Sequence, residues 1–306
     1  MDPEVIGDDG FYLGLGRSGE EQRDNGGKNR SAQRVSLSQK GDPQPIAGRS
    51  TICYLLGKYW RPCPPSNSAE PLSRGFTVNY YTSMHYAIHR TDALDLPDAD
   101  WERPQWQAAE TLEITHFPWE DSGHRPRTRA RVLYDERALS IIFRVEDRYV
   151  RAVTKRFQDS VCTDSCVEFF VAPLPDSQAY FNFEVNCGGT MLLHRCPSAA
   201  ERAQGRATEN VSDADGATIR IATTLPKIVE PELITPTTWA VEYRVPFVLF
   251  AQYFGAQTPG LGTQWKGNFY KCGDRTSHPH WGSWAPVNTP KPSFHQPDFY
   301  QPLVFA

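Results

Sequence analysis

The sequence predicts an all-β domain, built as a two-sheet antiparallel β-sandwich of the immunoglobulin or jelly-roll kind with one short helix. Three observations predict this class. The chain contains 25 Pro and 22 Gly, which interrupt helices and favour turns. It also contains 16 Phe, 13 Tyr and 8 Trp, and aromatic residues are enriched in strands. Finally, apolar and polar residues alternate in short runs between turn residues, which is typical of β-strands.

The alternating runs give the predicted strands in chain order. They lie at 112–117, 128–134, 139–145, 166–172, 180–186, 190–194, 218–225, 239–245, 264–271 and 303–305. Pro- and Gly-rich turns separate them, as at 173–176 and 187–189. The one predicted helix, at 246–254, opens with Pro246, a residue that suits the first helical turn. Short strands at this spacing favour two packed sheets.

The alternation also assigns two faces to each strand. In the strand at 180–186, Phe181 and Phe183 point to one side, whereas Asn182 and Glu184 point to the other. The apolar side predicts a core. The polar side mixes carboxylates, amides and guanidinium groups with aromatic rings, which suits a polyhydroxyl ligand. A solvated surface with cross-strand ion pairs is the alternative interpretation.

The first 83 residues differ from the rest of the chain. They show no sustained apolar periodicity, and all the tryptophans except Trp60 follow them. A segment with so little surface to bury cannot offset the entropy cost of ordering. We therefore predict a disordered leader at 1–83, or a gene-model artefact before a true start at Met84, and one folded domain at 84–306.

Composition excludes several classes of protein. The 32 Lys and Arg against 36 Asp and Glu give a net charge of -4, which argues against a general nucleic-acid binder. No run approaches the ~18 apolar residues of a membrane span. The acidic first residues lead into no apolar block, so no secretory signal is readable. Together with an odd number of cysteines, seven, this predicts reduced thiols in the cytoplasm.

Two local patterns invite a metal interpretation. Cys162 and Cys166 are four residues apart, a spacing that could hold zinc, but no second pair with ligand spacing follows. We predict that they are small buried residues. His278 and His280 could also bind a metal, although the spacing fixes no third ligand.

Several motifs, taken in order, resemble a known family. They are D-S-C-V-E-F-F at 164–170, W-A-V-E-Y-R-V-P-F at 239–247, G-N-F-Y-K at 267–271 and the ending at 297–305. This series resembles family 9 carbohydrate-binding modules and their stand-alone relatives, from about residue 106 to the C-terminus. The resemblance implies a β-sandwich that binds sugars, typically at chain ends. It also implies association with xylan-degrading enzymes and structural calcium as the one candidate cofactor, with a carbohydrate as the partner.

The resemblance also implies a site. Its polar contacts would come from Glu168, Asn186, Lys271 and Asp274, and one aromatic platform from Phe294. A second platform is expected just before Asp164, where 161–163 hold no ring. Trp281 or Trp284 could replace it, or either could plug the end of the sandwich.

Calcium would need hard oxygen donors near the ends of strands. Asp147, Asp159 and Asp164 are such donors, although aspartates at these places more often cap turns.

The function predicted from the sequence is therefore non-catalytic carbohydrate binding by aromatic stacking and polar contacts to hydroxyl groups. The main alternative is a glycoside hydrolase in which Glu168 and Glu184 act as acid and base. A third class is a protein-interaction sandwich that has lost sugar binding. The sequence contains no G-x-S-x-G, H-E-x-x-H or phosphate-loop motif for other catalytic chemistry.

Overall fold

A computed structural model describes residues 84–92, 96–119 and 121–306, so the predicted leader at 1–83 lies outside the described residues. β-Structure dominates the described part, and this confirms the predicted mostly β class. No helix in that part is long and apolar enough to cross a membrane.

Fifteen strands make up most of the described chain. They are β1 (Tyr86–Arg90), β2 (Leu112–Ile114), β3 (Arg127–Tyr134), β4 (Ala138–Asp147), β5 (Val150–Ala152), β6 (Cys166–Ala172), β7 (Tyr180–Asn186), β8 (Met191–Cys196), β9 (Glu209–Asn210), β10 (Arg220–Thr223), β11 (Val229–Leu233), β12 (Thr237–Pro246), β13 (Gln264–Cys272), β14 (Trp281–Ser283) and β15 (Gln301–Phe305). Their alternating apolar residues explain why these segments pair into sheets.

The helices are short. They are α1 (Ala199–Ala203), α2 (Asp213–Gly216) and α3 (Phe247–Phe254), together with 3-10 turns at Pro104–Ala108, Val161–Thr163 and Pro297–Phe299. The helix predicted at 246–254 is confirmed as α3, which ends at Gly255 in the left-handed conformation that glycine adopts without strain. Sequence reasoning missed α1, although Ser198 and Glu201 form a capping box there.

Thirteen strands form one continuous sheet in the order β10-β12-β4-β3-β1-β15-β13-β6-β7-β8-β9, with β2 beside β3 and β14 beside β13. The remaining two, β5 and β11, form a small separate ladder. Strand β1 runs parallel to both β3 and β15, so the sheet is mixed rather than wholly antiparallel. This corrects the predicted topology, because β1 joins two antiparallel runs of strands into one sheet.

The sheet curls so that its two halves share one core. Phe143 on β4 lies 6.1 Å from Phe269 on β13, and Phe183 on β7 lies 6.1 Å from Tyr243 on β12, measured between ring centroids. These pairs join strands that are far apart in the sheet order. Helix α3 packs Phe250 against Trp265 and closes one side of the core.

The opposite side of β6, β7 and β13 is also covered, so every residue of β6 and β7 is buried. A second apolar cluster packs there, and it contains Phe170, Tyr180, Tyr270, Phe294 and Tyr300. Strands with one face on the core and the other on a second layer can hold polar side chains away from bulk water. The site described below lies in this second layer.

Candidate functional site

Two glutamates face each other on the outer side of the sheet. Glu168 on β6 pairs directly with Glu184 on β7, and on its other side it pairs with Tyr270 on β13. Residues directly opposite on antiparallel strands have Cβ atoms about 4.5–5.5 Å apart. The strand register therefore brings the two carboxyl groups together.

Asp274, just beyond β13, joins the two glutamates. Its backbone N–H donates to the Cys162 carbonyl at 3.0 Å, and its Oδ1 accepts from Trp281 Nε1 at 2.8 Å. We call the surface formed by Glu168, Glu184 and Asp274 the carboxylate face. Glu168 and Glu184 are buried, whereas Asp274 is half-buried.

The pKa values of all three carboxyl groups are raised. Burial is the main cause for each, because it disfavours the charged form. The Glu184 charge raises the pKa of Glu168 further, and burial with the Asp274 charge raises the pKa of Glu184 to about 8. Hydrogen bonds oppose the shift only partly, as Asn182 Nδ2 donates to Glu184 at 2.9 Å. At neutral pH Glu184 is therefore largely protonated and can both donate and accept hydrogen bonds.

Aromatic rings border the carboxylate face. Phe294 stacks on Tyr270 with centroids 4.2 Å apart, and Trp119 lies 5.8 Å from Phe294. Phe294 is only 8% exposed, so its ring is already covered. Trp281 is half-buried and is held in place by its hydrogen bond to Asp274. Among these rings, Trp281 is the one with a surface open to a ligand.

Three thiols lie at the end of the same face. Cys166 on β6 is directly opposite Cys272 on β13, and Cys272 Sγ donates to Glu168 Oε1 at 3.0 Å. Cys162, in the 3-10 turn before β6, is half-buried and contacts the Asp274 carboxyl. The five cysteines that the structure describes are all free thiols. Burial raises the pKa of Cys166 to about 12 and raises the pKa values of Cys162 and Cys272 as well.

A family model for carbohydrate-binding family 9 matches residues 102–305, which span this whole site. The chain belongs to this family. The resemblance stated from the motifs is thereby confirmed.

The chain is also similar to several solved structures. A candidate carbohydrate-binding protein from Bacteroides uniformis ATCC 8492 is 26% identical, with a TM-score of 0.64 over 74% of this chain and all of that one. Family 9 modules from Caldicellulosiruptor kristjanssonii match at 11% identity with cellotriose bound (TM-score 0.49; 72% of this chain, 93% of that one) and at 12% with glucose bound (TM-score 0.48; 73% and 96%). A search of curated proteins found no match.

Lys271 lies on the other side of the sheet from the carboxylate face of this family 9 chain. It pairs with Val167, one residue away from Glu168 in register, and its side chain is fully buried. Its Nζ donates to His280 Nε2 at 2.8 Å and lies 3.4 Å from Asp147 Oδ2. The fold therefore does not bring Lys271 to Glu168, although the sequence prediction grouped them.

The Lys271 side carries a balanced set of buried charges. Burial would raise the pKa of Asp147, but Lys271 and His124 lower it to about 2. Burial and the neighbouring Lys271 lower the pKa of His280 to about 3, so this imidazole stays neutral. Because lysine can only donate, His280 Nε2 accepts and Nδ1–H donates to the His278 carbonyl at 2.9 Å. We call Lys271, Asp147 and His280 the charge-balanced triad.

Two further predicted site residues have structural surroundings. Trp284 packs edge-on against Phe269 and Tyr86 in the main core, as a plug would. Asn186, fully buried, shapes the turn after β7, because its Oδ1 accepts from the amides of Gly188 and Thr190. Neither side chain is presented to a ligand by these contacts.

The aspartates predicted for calcium do not fit that ion. Asp164 Oδ2 accepts from the Val153 and Thr154 amides, and Asp159 accepts from the amides that precede it in a turn. Asp147 is paired with Lys271 and His124. Calcium needs six to eight converging oxygen ligands, and within the described residues these three carboxylates do not converge into one group.

Sequence reasoning also missed residues that the fold brings to the site. Tyr270, Cys272 and Asn182 all lie beside the two glutamates. The alternation along β13 contained the signal, because Tyr270 and Cys272 share a side while Phe269 and Lys271 share the other. His278, which was considered for a metal, stacks on Tyr149 with ring centroids 3.6 Å apart.

Proposed function

We propose that this chain is a non-catalytic carbohydrate-binding domain and that its carboxylate face is the binding surface. Membership of family 9 supports the function. The observation that supports the location is the direct pairing of Glu168 with Glu184, beside Asp274 and the ring of Trp281. Converging carboxyl groups next to an aromatic ring suit a ligand that is polar at its edge and apolar on its face.

The chemistry of such a ligand matches these groups. Carboxyl groups accept hydrogen bonds from sugar hydroxyls, and the protonated ones can also donate. The axial C–H groups of a pyranose form an apolar patch that packs on an aromatic ring. Trp281 is the ring we assign to this role, because Phe294 is already covered by Tyr270.

Access points to the same edge of the site. Trp281, Asp274 and Cys162 are half-buried, whereas Glu168 lies deeper, with 2% of its surface exposed. We therefore assign direct hydroxyl contacts to Asp274 and Glu184, and a supporting position beneath them to Glu168.

The architecture belongs to the same proposal. We propose that the curled sheet works as a two-sheet sandwich, in which the antiparallel run around β4 and β12 faces the run around β6, β7 and β13. The ring contacts between Phe143 and Phe269 and between Phe183 and Tyr243 support this arrangement.

Isothermal titration calorimetry of the full chain against neutral mono- and oligosaccharides tests the function. Glucose and cellotriose, the ligands of the two Caldicellulosiruptor structures, are suitable first probes. We expect saturable binding that Glu184→Gln weakens about 2- to 12-fold, because a hydrogen bond of a neutral group contributes about 0.5–1.5 kcal/mol. Glu209→Gln, at an exposed position on β9, is the matched control and should bind normally.

Two results would contradict the proposal. Lack of binding across a broad glycan panel would remove the carbohydrate function. Release of reducing sugar by the chain, abolished in Glu168→Gln, would instead establish the hydrolase alternative, in which the paired carboxyl groups act as acid and base.

A further inference from the structure

Cys166, Cys272 and Glu168 form a compact group of metal-ligand side chains. All three are fully buried, and their Sγ and carboxylate oxygen atoms lie within 4.8 Å of one another. This is the one such group of His, Cys, Asp or Glu found within the described residues. We propose that these three side chains bind a thiophilic divalent cation of the zinc type.

The strand register fixes the group. Cys166 and Cys272 are direct partners on neighbouring antiparallel strands, and Glu168 lies two residues further along β6 on the same side. Three ligands on two adjacent strands of a buried sheet are held by the backbone ladder rather than by a loop. Such a scaffold preorganises the ligands before a metal arrives.

The ligand chemistry selects the metal. Thiolates favour zinc and other soft or borderline ions, whereas calcium and magnesium prefer oxygen ligands alone. With Zn–S bonds of about 2.3 Å in a tetrahedral arrangement, the two sulfurs would be about 3.8 Å apart and each about 3.6 Å from the carboxylate oxygen. The Cys272 Sγ to Glu168 Oε1 distance is 3.0 Å, that of a hydrogen bond, so these two atoms would separate by about 0.6 Å to reach the coordination distance.

The surroundings favour a cation. Glu184 lies opposite Glu168, and Asp274 and Cys162 border the same group. Lys271, the adjacent residue on β13, pairs with Asp147 and His280. A divalent ion is the natural counter-charge for a buried group of acids and thiols, since coordination deprotonates a thiol outright.

Cys162 lies at the more exposed edge of this group. It is half-buried while the three ligands are fully buried, and its turn is tied to the loop after β13 by the Asp274 amide. An ion entering past Cys162 would meet Cys272 and Glu168 directly, because Cys272 Sγ lies 3.8 Å from the Cys162 carbonyl oxygen.

Cobalt and zinc titrations of the full chain in reducing buffer test this site. All proteins carry Cys53→Ser and Cys63→Ser, which removes the thiols outside the described residues. We expect about one ion per chain by elemental analysis and a thiolate-to-cobalt charge-transfer absorption. Cys166→Ala, Cys272→Ala and the isosteric Glu168→Gln should each weaken metal binding at least about tenfold. Cys196→Ala is the matched control, because it removes a buried thiol from another end of the sheet.

Circular dichroism of each variant shows whether it folds, and Glu168→Gln keeps the side-chain volume if a cysteine variant does not. The proposal is overturned if the folded chain takes up no metal, or if the charge-transfer absorption persists in Cys166→Ala and Cys272→Ala. Because metal uptake is measured without sugar, its failure leaves the carbohydrate proposal standing, and the reverse holds as well.

Discussion

The buried polar side chains on the two sides of strand β13 have different kinds of neighbours. On one side, Lys271 lies beside Asp147 and His280, so the buried cation has an anion and a hydrogen-bond acceptor next to it. On the other side, Cys272 donates to Glu168, and Glu168 lies opposite a second carboxyl group, that of Glu184. The charge-balanced triad therefore needs nothing from outside, whereas the carboxylate face gains from a ligand that brings hydroxyl groups or positive charge.

This contrast distinguishes buried polar side chains that stabilise the fold from those that we propose for ligand binding. Both sets are buried, and burial alone would have grouped them together. The distinguishing property is whether the charge of a buried group is compensated by an opposite charge on a neighbouring group. A buried group whose neighbours raise its pKa is a stronger candidate for ligand binding than one already paired.

The largest expected effect comes from breaking the charge-balanced triad. Lys271→Met removes the lysine cation beside buried Asp147 and leaves His124 as its side-chain partner, which should lower the free energy of unfolding by about 3–5 kcal/mol in urea denaturation. Lys266→Met, at an exposed position on the same strand, should change it by less than about 0.5 kcal/mol.

A double variant sharpens this test. Adding Asp147→Asn to Lys271→Met removes the unpaired charge, so part of the lost stability should return. If the double variant is less stable than Lys271→Met alone, the pairing of these two groups is not what stabilises the fold.

The second prediction uses pH to distinguish the two sides. The folded-state pKa of Glu184 is raised from 4.5 to about 8, so the native state binds an extra proton and loses stability as pH rises through that window. In the presence of EDTA, Glu184→Gln should lose less stability than the unchanged chain over this pH range. One pKa unit corresponds to about 1.4 kcal/mol, and the difference in the free energy of unfolding between the two proteins should exceed that value. Urea denaturation between pH 4.5 and 8 measures it.

The triad should respond in the opposite direction. The pKa of His280 is lowered from 6.5 to about 3 and that of Asp147 from 3.8 to about 2. Both groups bind fewer protons in the native than in the unfolded state, so their contribution is lost as pH falls through those ranges. The control for the Glu184 prediction is Glu209→Gln, at an exposed position. If the free energy of unfolding depends on pH equally in Glu209→Gln and Glu184→Gln, the raised pKa of Glu184 is contradicted.

The smallest expected effect concerns Trp281. Trp281→Phe removes the hydrogen bond to Asp274 and should lower the free energy of unfolding by about 0.5–1.5 kcal/mol. Since the acceptor is a carboxyl group, this cost should grow as pH rises and Asp274 ionises. Trp119→Phe is a matched control, because Trp119 donates to the neutral Thr289 carbonyl at 2.8 Å, so its cost should not depend on pH.

The strand positions were largely predictable from the sequence. The predicted strands at 166–172 and 180–186 agree with β6 and β7, because their alternating residues repeat with the two-residue period of a strand. Strand β1 was missed, and its parallel pairing with β3 and β15 was not foreseeable. Periodicity describes one segment at a time and contains no information about which segments become neighbours.

The candidate site was predictable only in part. Glu168 and Asp274 were named from the family motifs, and the structure places both on the carboxylate face. Lys271 was grouped with them from the same resemblance, although its alternation with Tyr270 puts it on the other side of β13. The family motifs suggested a role, whereas the alternation of side chains along the strand decided the location.

The sequence by itself determined the mostly β class and the family, and it supplied two of the carboxyl groups that we propose for ligand binding. These follow from the alternation of apolar and polar residues and from short motifs, each of which can be read within one segment of the chain. Only the tertiary structure decided that Glu184 faces Glu168 and that Cys272 lies opposite Cys166 across more than 100 residues of sequence. Register between strands is set by the packing of the whole sheet, so the chemistry that arises from neighbouring strands becomes visible only once the sheet is assembled.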